Sequence, residues 1–259
     1  MRAMSGVVAV NTFREAVRDR VLYNLIFFAL MMIGAAILVG QISIGIERLV
    51  IVNLGLSAIS VFGLLMAVFI GIGLVAKEIE KRTLYSLLSK PVRRWEFLVG
   101  KYAGLLLTLL VNTSFMTLGL AMALFYVGRP FVRADLTILG AVYFILLELA
   151  LVTAIALFFS CYSSSVLSAL FTLGIYVTGV FAQDIRNFGD LTHNPAMKAA
   201  TRVIYYLVPN FHNFNAIAQA AHGEPIPFSL YWQNTLYALL YATVVLLAAS
   251  ATFSRRNLK

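Results

Sequence analysis

Residues 77–101 read KEIEKRTLYSLLSKPVRRWEFLVGK. The stretch holds seven basic residues (Lys77, Lys81, Arg82, Lys90, Arg93, Arg94, Lys101) and three acidic ones (Glu78, Glu80, Glu96). The chain as a whole is only 12% charged, and long apolar runs flank this island on both sides. Charges are costly at bilayer depth. The chain must therefore leave the membrane at Lys77 and re-enter it after Lys101. A soluble partner is expected to meet the protein here.

Working outward, the 259 residues are 61% hydrophobic, whereas a soluble domain sits near half. Six runs are long enough to cross about 30 Å of hydrocarbon as helices. They cover residues 21–40, 50–76, 98–127, 136–162, 166–183 and 230–253. The expected fold class is an all-α integral membrane protein, one domain over residues 1–259. Gly128, Arg129 and Pro130 break the third run, since Pro cannot continue a helix interior. Ser163 to Ser165 join the fourth and fifth runs so tightly that a hairpin failing to cross fully is the competing reading. The first run is longer than a signal-peptide core and is expected to stay as a span.

Residues 4–20 place Val10, Phe13 and Val17 at helical spacing, with Asn11, Arg14, Glu15, Arg18 and Asp19 on the other side. This pattern predicts an amphipathic helix in the membrane interface. The net charge of +9 would suggest nucleic acid in a soluble protein. Here topology explains it, because basic residues collect in cytoplasmic loops. With the N-terminus inside, 14 of the 20 Lys and Arg fall in cytoplasmic segments. Both termini are then cytoplasmic, in the inner (plasma) membrane, and residues 184–229 form an outer amphipathic segment. No nucleic-acid partner is expected.

Within the island, Ile79, Leu84, Leu87 and Leu88 make an apolar stripe. Lys90 and Pro91 end that helix, since a residue before Pro disfavours the α conformation. A second helix follows from Arg93, and Gly100 with Gly104 give it a small-residue face that another helix can approach. A short charged helix with an apolar edge suits docking into a groove of a soluble protein.

These residues also carry a resemblance. Glu78-x-Glu80-x-x-Thr83, then Leu87-Leu88-x-x-Pro91-x-x-Arg94, then Gly100-Lys101 resembles the permease subunits of ABC-2-type transporters. The branch it most resembles contains the permease of the nitrous-oxide-reductase maturation transporter. Thr12-Phe13-Arg14-Glu15-Ala16-x-Arg18-Asp19-Arg20 and Leu207-x-Pro209-Asn210 fit the same family. Arg82 departs from it, standing where many relatives have glycine. The resemblance implies a cytoplasmic coupling helix between the second and third spans, seated on a separate ABC ATPase subunit. Glu78, Glu80, Thr83, Leu84, Leu87, Leu88 and Arg94 would form that interface. It also implies a second permease, identical or a close relative, and export. ATP and Mg would belong to the ATPase. This chain has no G-x-x-x-x-G-K-[ST] phosphate loop, and no cofactor of its own is expected.

Glu148 is the sharpest single residue, an acid amid apolar neighbours near the middle of the fourth run. Such residues usually face a bundle interior or water. With Asn112 it is a candidate for translocation or gating; the structural alternative is a protonated carboxyl hydrogen-bonded to Asn112, Thr113 or Ser114 of the third run. An ion-gradient-driven secondary transporter using Glu148 is the alternative function. His193, His212 and His222 lie 19 and 10 residues apart, which matches no compact metal motif. No catalytic constellation is visible. Tyr205, Tyr206, Phe211, Phe214, Phe228, Tyr231 and Trp232 read as interfacial aromatics. Cys161, the single cysteine, reads as inert.

Overall fold

A computed structural model describes residues 2–43, 45–80, 94–127, 135–192 and 194–255. Every regular element among them is helical. The helix α1 covers Arg2–Val17, and α2 covers Arg20–Ile42. Asp19 separates them, its carboxylate accepting from the Val21 N–H at 3.0 Å to cap α2. Gly45, at φ +88, makes the turn into α3, Glu47–Glu80. The helix α4 is Arg94–Tyr126, α5 is Leu136–Ser160 and α6 is Ser165–Val180. The segment before the last span forms α7 (Ala182–Leu191), α8 (Pro195–Leu207), a 3-10 turn (Phe211–Phe214) and α9 (Ile217–His222). The last span is α10, Phe228–Arg255.

Five of these helices, α2, α3, α4, α5 and α10, are long and apolar enough to cross a membrane. The sixth apolar run behaves differently. Helix α6 stops at Val180 after 16 residues, about 24 Å, and a 57° bend carries the chain into α7. By length and composition the pair fits either a broken span or a re-entrant segment.

Helix α5 is apolar all round, and such a helix belongs inside a bundle. It is buried from Ile138 to Ser160, enclosed by α3, α4, α6, α9 and α10. Phe97, Leu98, Cys161 and Ala249 cluster with Val8 at one end of the molecule, hereafter the terminal end. That cluster brings together α1, the start of α4, the end of α5 and the late turns of α10. The serine turn therefore lies at the same end as α1.

The opposite, distal end is closed by charge. Arg48 at the start of α3 meets Asp135, just before α5, at 3.0 Å. Its guanidinium also donates to the Ala221 carbonyl of α9 at 2.9 Å. One arginine thus ties three elements together. Asp135→Asn is expected to lower stability by about 1–2 kcal/mol, between the values for exposed and buried pairs. Thermal unfolding of the purified chain checks this; an unchanged midpoint would show the tie to be dispensable.

Candidate functional site

The lone acid of α5 has a built environment. Glu148 is 7% exposed and lies twelve residues from either end of its helix, about 18 Å by helical rise. Tyr176 of α6 and Ser60 of α3 bring their hydroxyls to the same space. These groups line a cavity of about 90 Å³, roughly three waters in size. Its upper wall is the 3-10 turn, which contributes Phe211, His212 and Phe214.

The early stop of α6 explains how a distal segment reaches this depth. Tyr176 lies only four residues, about 6 Å, before α6 ends. The space above is taken by the turn, with Phe211 1% and Phe214 0% exposed. The Tyr176 and Phe211 rings lie 5.1 Å apart. Non-helical backbone is tolerated at membrane depth only when it is buried in protein or lines a cavity. Here both conditions hold, and side chains of α10 hold the turn in place. The Asn210 N–H donates to the Tyr237 hydroxyl at 2.9 Å. Tyr241 donates to the Leu207 carbonyl at 2.6 Å, and Asn234 donates to the Asn213 carbonyl at 2.8 Å. Residues 208–215 therefore act as a plug over Glu148.

This geometry corrects two expectations. Asn112, Thr113 and Ser114 are not the partners of Glu148. Thr113 and Ser114 donate to their own helix at Leu109 and Leu110, and the Asn112 Nδ2 is buried with no partner among the described residues. Asn112 faces elsewhere because α4 meets α5 on a different side from α6. Phe211, Phe214 and Tyr231 are not interfacial either. The first two are core residues, and Tyr231 packs against Phe144 at 5.0 Å. By contrast Tyr206, Phe228 and Trp232 are exposed as an aromatic belt requires.

Outside the plug, α7 and α8 pair through Thr201, which sits against Gly189. Lys198 and Arg202 flank Asp190 at 3.3 and 3.4 Å. The hydrogen bond from Lys198, with the two nearby positive charges, holds the Asp190 carboxyl below its ordinary range. This contribution is present above the usual carboxylate range and is lost as the pH falls through the lowered value.

At the terminal end, α1 packs along α4. Gly100 meets Ser5 and Val8, and Gly104 meets Ala9 and Thr12. The small-residue face read from sequence is thus occupied by the N-terminal helix. Lys101 is 3% exposed, pairs with Glu15 of α1 at 3.6 Å and lies over the Phe97 ring at 5.8 Å. Helix α3 runs four residues past Ala76, where the apolar run of the sequence ends, about 6 Å further. Glu78 and Glu80 fall in its last turns, and Arg94 opens α4. Thr83, Leu84, Leu87 and Leu88 lie outside the described residues, as does His193. Among the described residues no cluster of His, Cys, Asp or Glu could hold a metal ion.

Sequence reasoning missed Tyr176, Ser60, the Arg48–Asp135 tie and the α10 anchors. Only the last left a signal, since Tyr237 and Tyr241 are four apart and share one helix face.

A search among curated proteins gives no match to this chain. A family model described as ABC-2 family transporter protein matches residues 7–258. That match runs from the helix α1 through every span to the basic tail, so the chain belongs to the ABC-2 transporter family as a multi-pass membrane subunit.

Proposed function

We propose that the chain is the permease subunit of an ATP-driven exporter. ATP, with Mg, is hydrolysed by a separate ABC ATPase subunit that docks on the island between α3 and α4. Two permeases, identical or close relatives, form the complex in the inner (plasma) membrane. Both termini and the terminal end face the cytoplasm. The branch of the nitrous-oxide-reductase maturation permease is the finer placement, on the strength of the island motif.

The observation that carries this reading is the continuity of α3. The helix that reaches the Glu148 cavity at Ser60 runs on to Glu80 at the threshold of the island. Helix α1, clamped to α4, lies beside the exit. A nucleotide-driven movement at the island can shift the bundle only if the ATP-bound partner binds its two conformations with different affinity. The residues proposed to make that contact are Glu78, Glu80, Thr83, Leu84, Leu87, Leu88 and Arg94.

The test is whether a gene for an ABC ATPase lies beside this one and whether its product co-purifies with this chain. The tagged wild type is expected to retain it. A Glu78→Lys, Leu87→Asp variant is expected to lose most of it while remaining monodisperse in detergent. Retention by the variant would remove the island from the interface.

A second reading is supported by Glu148 itself. A carboxylate at mid-span beside a water-sized cavity is what an ion-gradient-driven secondary transporter uses. It predicts substrate movement by the chain alone in vesicles with an imposed ion gradient. Transport that requires the ATPase and ATP excludes it.

A further inference from the structure

The Glu148 cavity has a chemistry that the transport reading does not specify. Its polar groups are one carboxylate, two hydroxyls and the side chains of His212 and Asn215. The walls are otherwise aromatic and aliphatic. Tyr176 lies beside a carboxylate that can take about four hydrogen bonds. The remaining capacity meets a void of about 90 Å³ rather than protein.

We propose that this cavity binds a small organic cation, the primary ammonium end of a transported molecule. Glu148 supplies the counter-charge, the Tyr176 and Ser60 oxygens are further acceptors, and the Phe211 and Phe214 rings form cation–π walls. A hard divalent ion is poorly served, because it needs six or more oxygen ligands and the cavity offers one carboxylate. An anion is poorly served for the same reason of charge. His212 is the basic side chain among the lining residues, and it lies at the exposed rim. The plug above the cavity makes the distal face the natural way out. This inference rests on the transport reading for the word "transported", but the site itself does not require an ATPase.

The experiment uses the purified full-length chain in detergent, without any partner. Thermal unfolding is followed against ethylammonium chloride. Sodium chloride at equal ionic strength and ethanol are the controls for charge and for shape. The ammonium salt is expected to raise the midpoint saturably, as a ligand that binds only the folded state must. Neither control should do so. Glu148→Gln is expected to weaken the apparent affinity about tenfold or more, and Tyr176→Phe about threefold. His222→Gln, outside the cavity, should not weaken it. If Glu148→Gln does not fold, Glu148→Asp keeps the charge but withdraws it by one methylene and should bind more weakly.

Equal stabilisation of wild type and the Glu148 variant, or equal stabilisation by ethanol, overturns the proposal. Loss in His212→Gln with retention in Glu148→Gln overturns it in favour of an anion site. None of these outcomes depends on the island. Failure here therefore leaves the ATPase reading standing, and failure of the co-purification leaves the cation site standing.

Discussion

Gly104→Val is expected to detach α1 from the bundle. A β-carbon on Gly104 would stand 2.5 Å from the Ala9 carbonyl oxygen and 2.6 Å from the Thr12 Cβ. Neither atom belongs to the flexible end of a side chain, so no rotamer change relieves the contact. The helix must move away as a body. Its neighbouring contact, Gly100 against Val8, would be lost with it. The Lys101 ammonium, 3% exposed, would lose the Glu15 carboxylate at the same time. Overpacking of this kind costs about 3 kcal/mol where backbone cannot yield. In thermal unfolding that corresponds to a fall of roughly 6–12 °C for a chain of this size. Ala103→Val, one residue away on an exposed position, is the control and should change little. If the wild-type midpoint survives in Gly104→Val, α1 is not clamped where the structure has it. On the proposed function the same variant loses ATP-dependent transport, since α1 stands beside the docking region.

Gly179→Val is the second large effect, and it acts at the other end. A β-carbon there runs into the Pro209 carbonyl oxygen and lies 2.5 Å from the Phe211 ring. The clash is aimed at the plug. Pro209 lies two residues before the 3-10 turn, so the displaced segment is the one that roofs Glu148. Destabilising the seated plug by about 2 kcal/mol raises the population of its unseated form about thirtyfold. The measurement is the reaction of a Ser60→Cys reporter with a membrane-impermeant maleimide in intact vesicles. The native Cys161 is buried at the terminal end and contributes little background. The labelling rate is expected to rise by that factor in Gly179→Val and to stay at baseline in Val177→Leu, an exposed position two residues earlier. An unchanged rate would mean that the turn does not seal the cavity.

Much of this architecture is written in hydropathy. Five long helices fall within a few residues of the apolar runs, because desolvation of a continuous apolar stretch leaves a helix little choice. The short α6 is not legible in the same way. Its run continues through Phe181 and Ala182, and the bend occurs without proline. What ends α6 is the arrival of residues 209–214 from a distance of thirty positions, a tertiary event with no local signature. Glu148 stood out because an acid is rare in such a run. Tyr176 did not, since a tyrosine suits an apolar helix whether or not its hydroxyl has work. Phe211 and Phe214 were read as interfacial for a related reason. An amphipathic segment rich in aromatics looks the same whether it lies on the bilayer or folds down into the bundle. Gly100 and Gly104 were read correctly as a close-approach face, but the sequence did not say that α1 would fill it.

On the proposed transport function, the three hydrogen bonds from α10 to Leu207, Asn210 and Asn213 bear on energy conservation in the cell. Each is worth about 1 kcal/mol net, so together they hold the closed form by about 3 kcal/mol. That alone keeps the open fraction more than a hundredfold lower than it would otherwise be. A membrane that stores a proton gradient is drained by any pore left ajar between turnovers, however rarely the transporter works. Tyr237, Tyr241 and Asn234 touch neither the carboxylate nor the island, yet on the proposed transport function they would set how much of that gradient leaks through an idle complex.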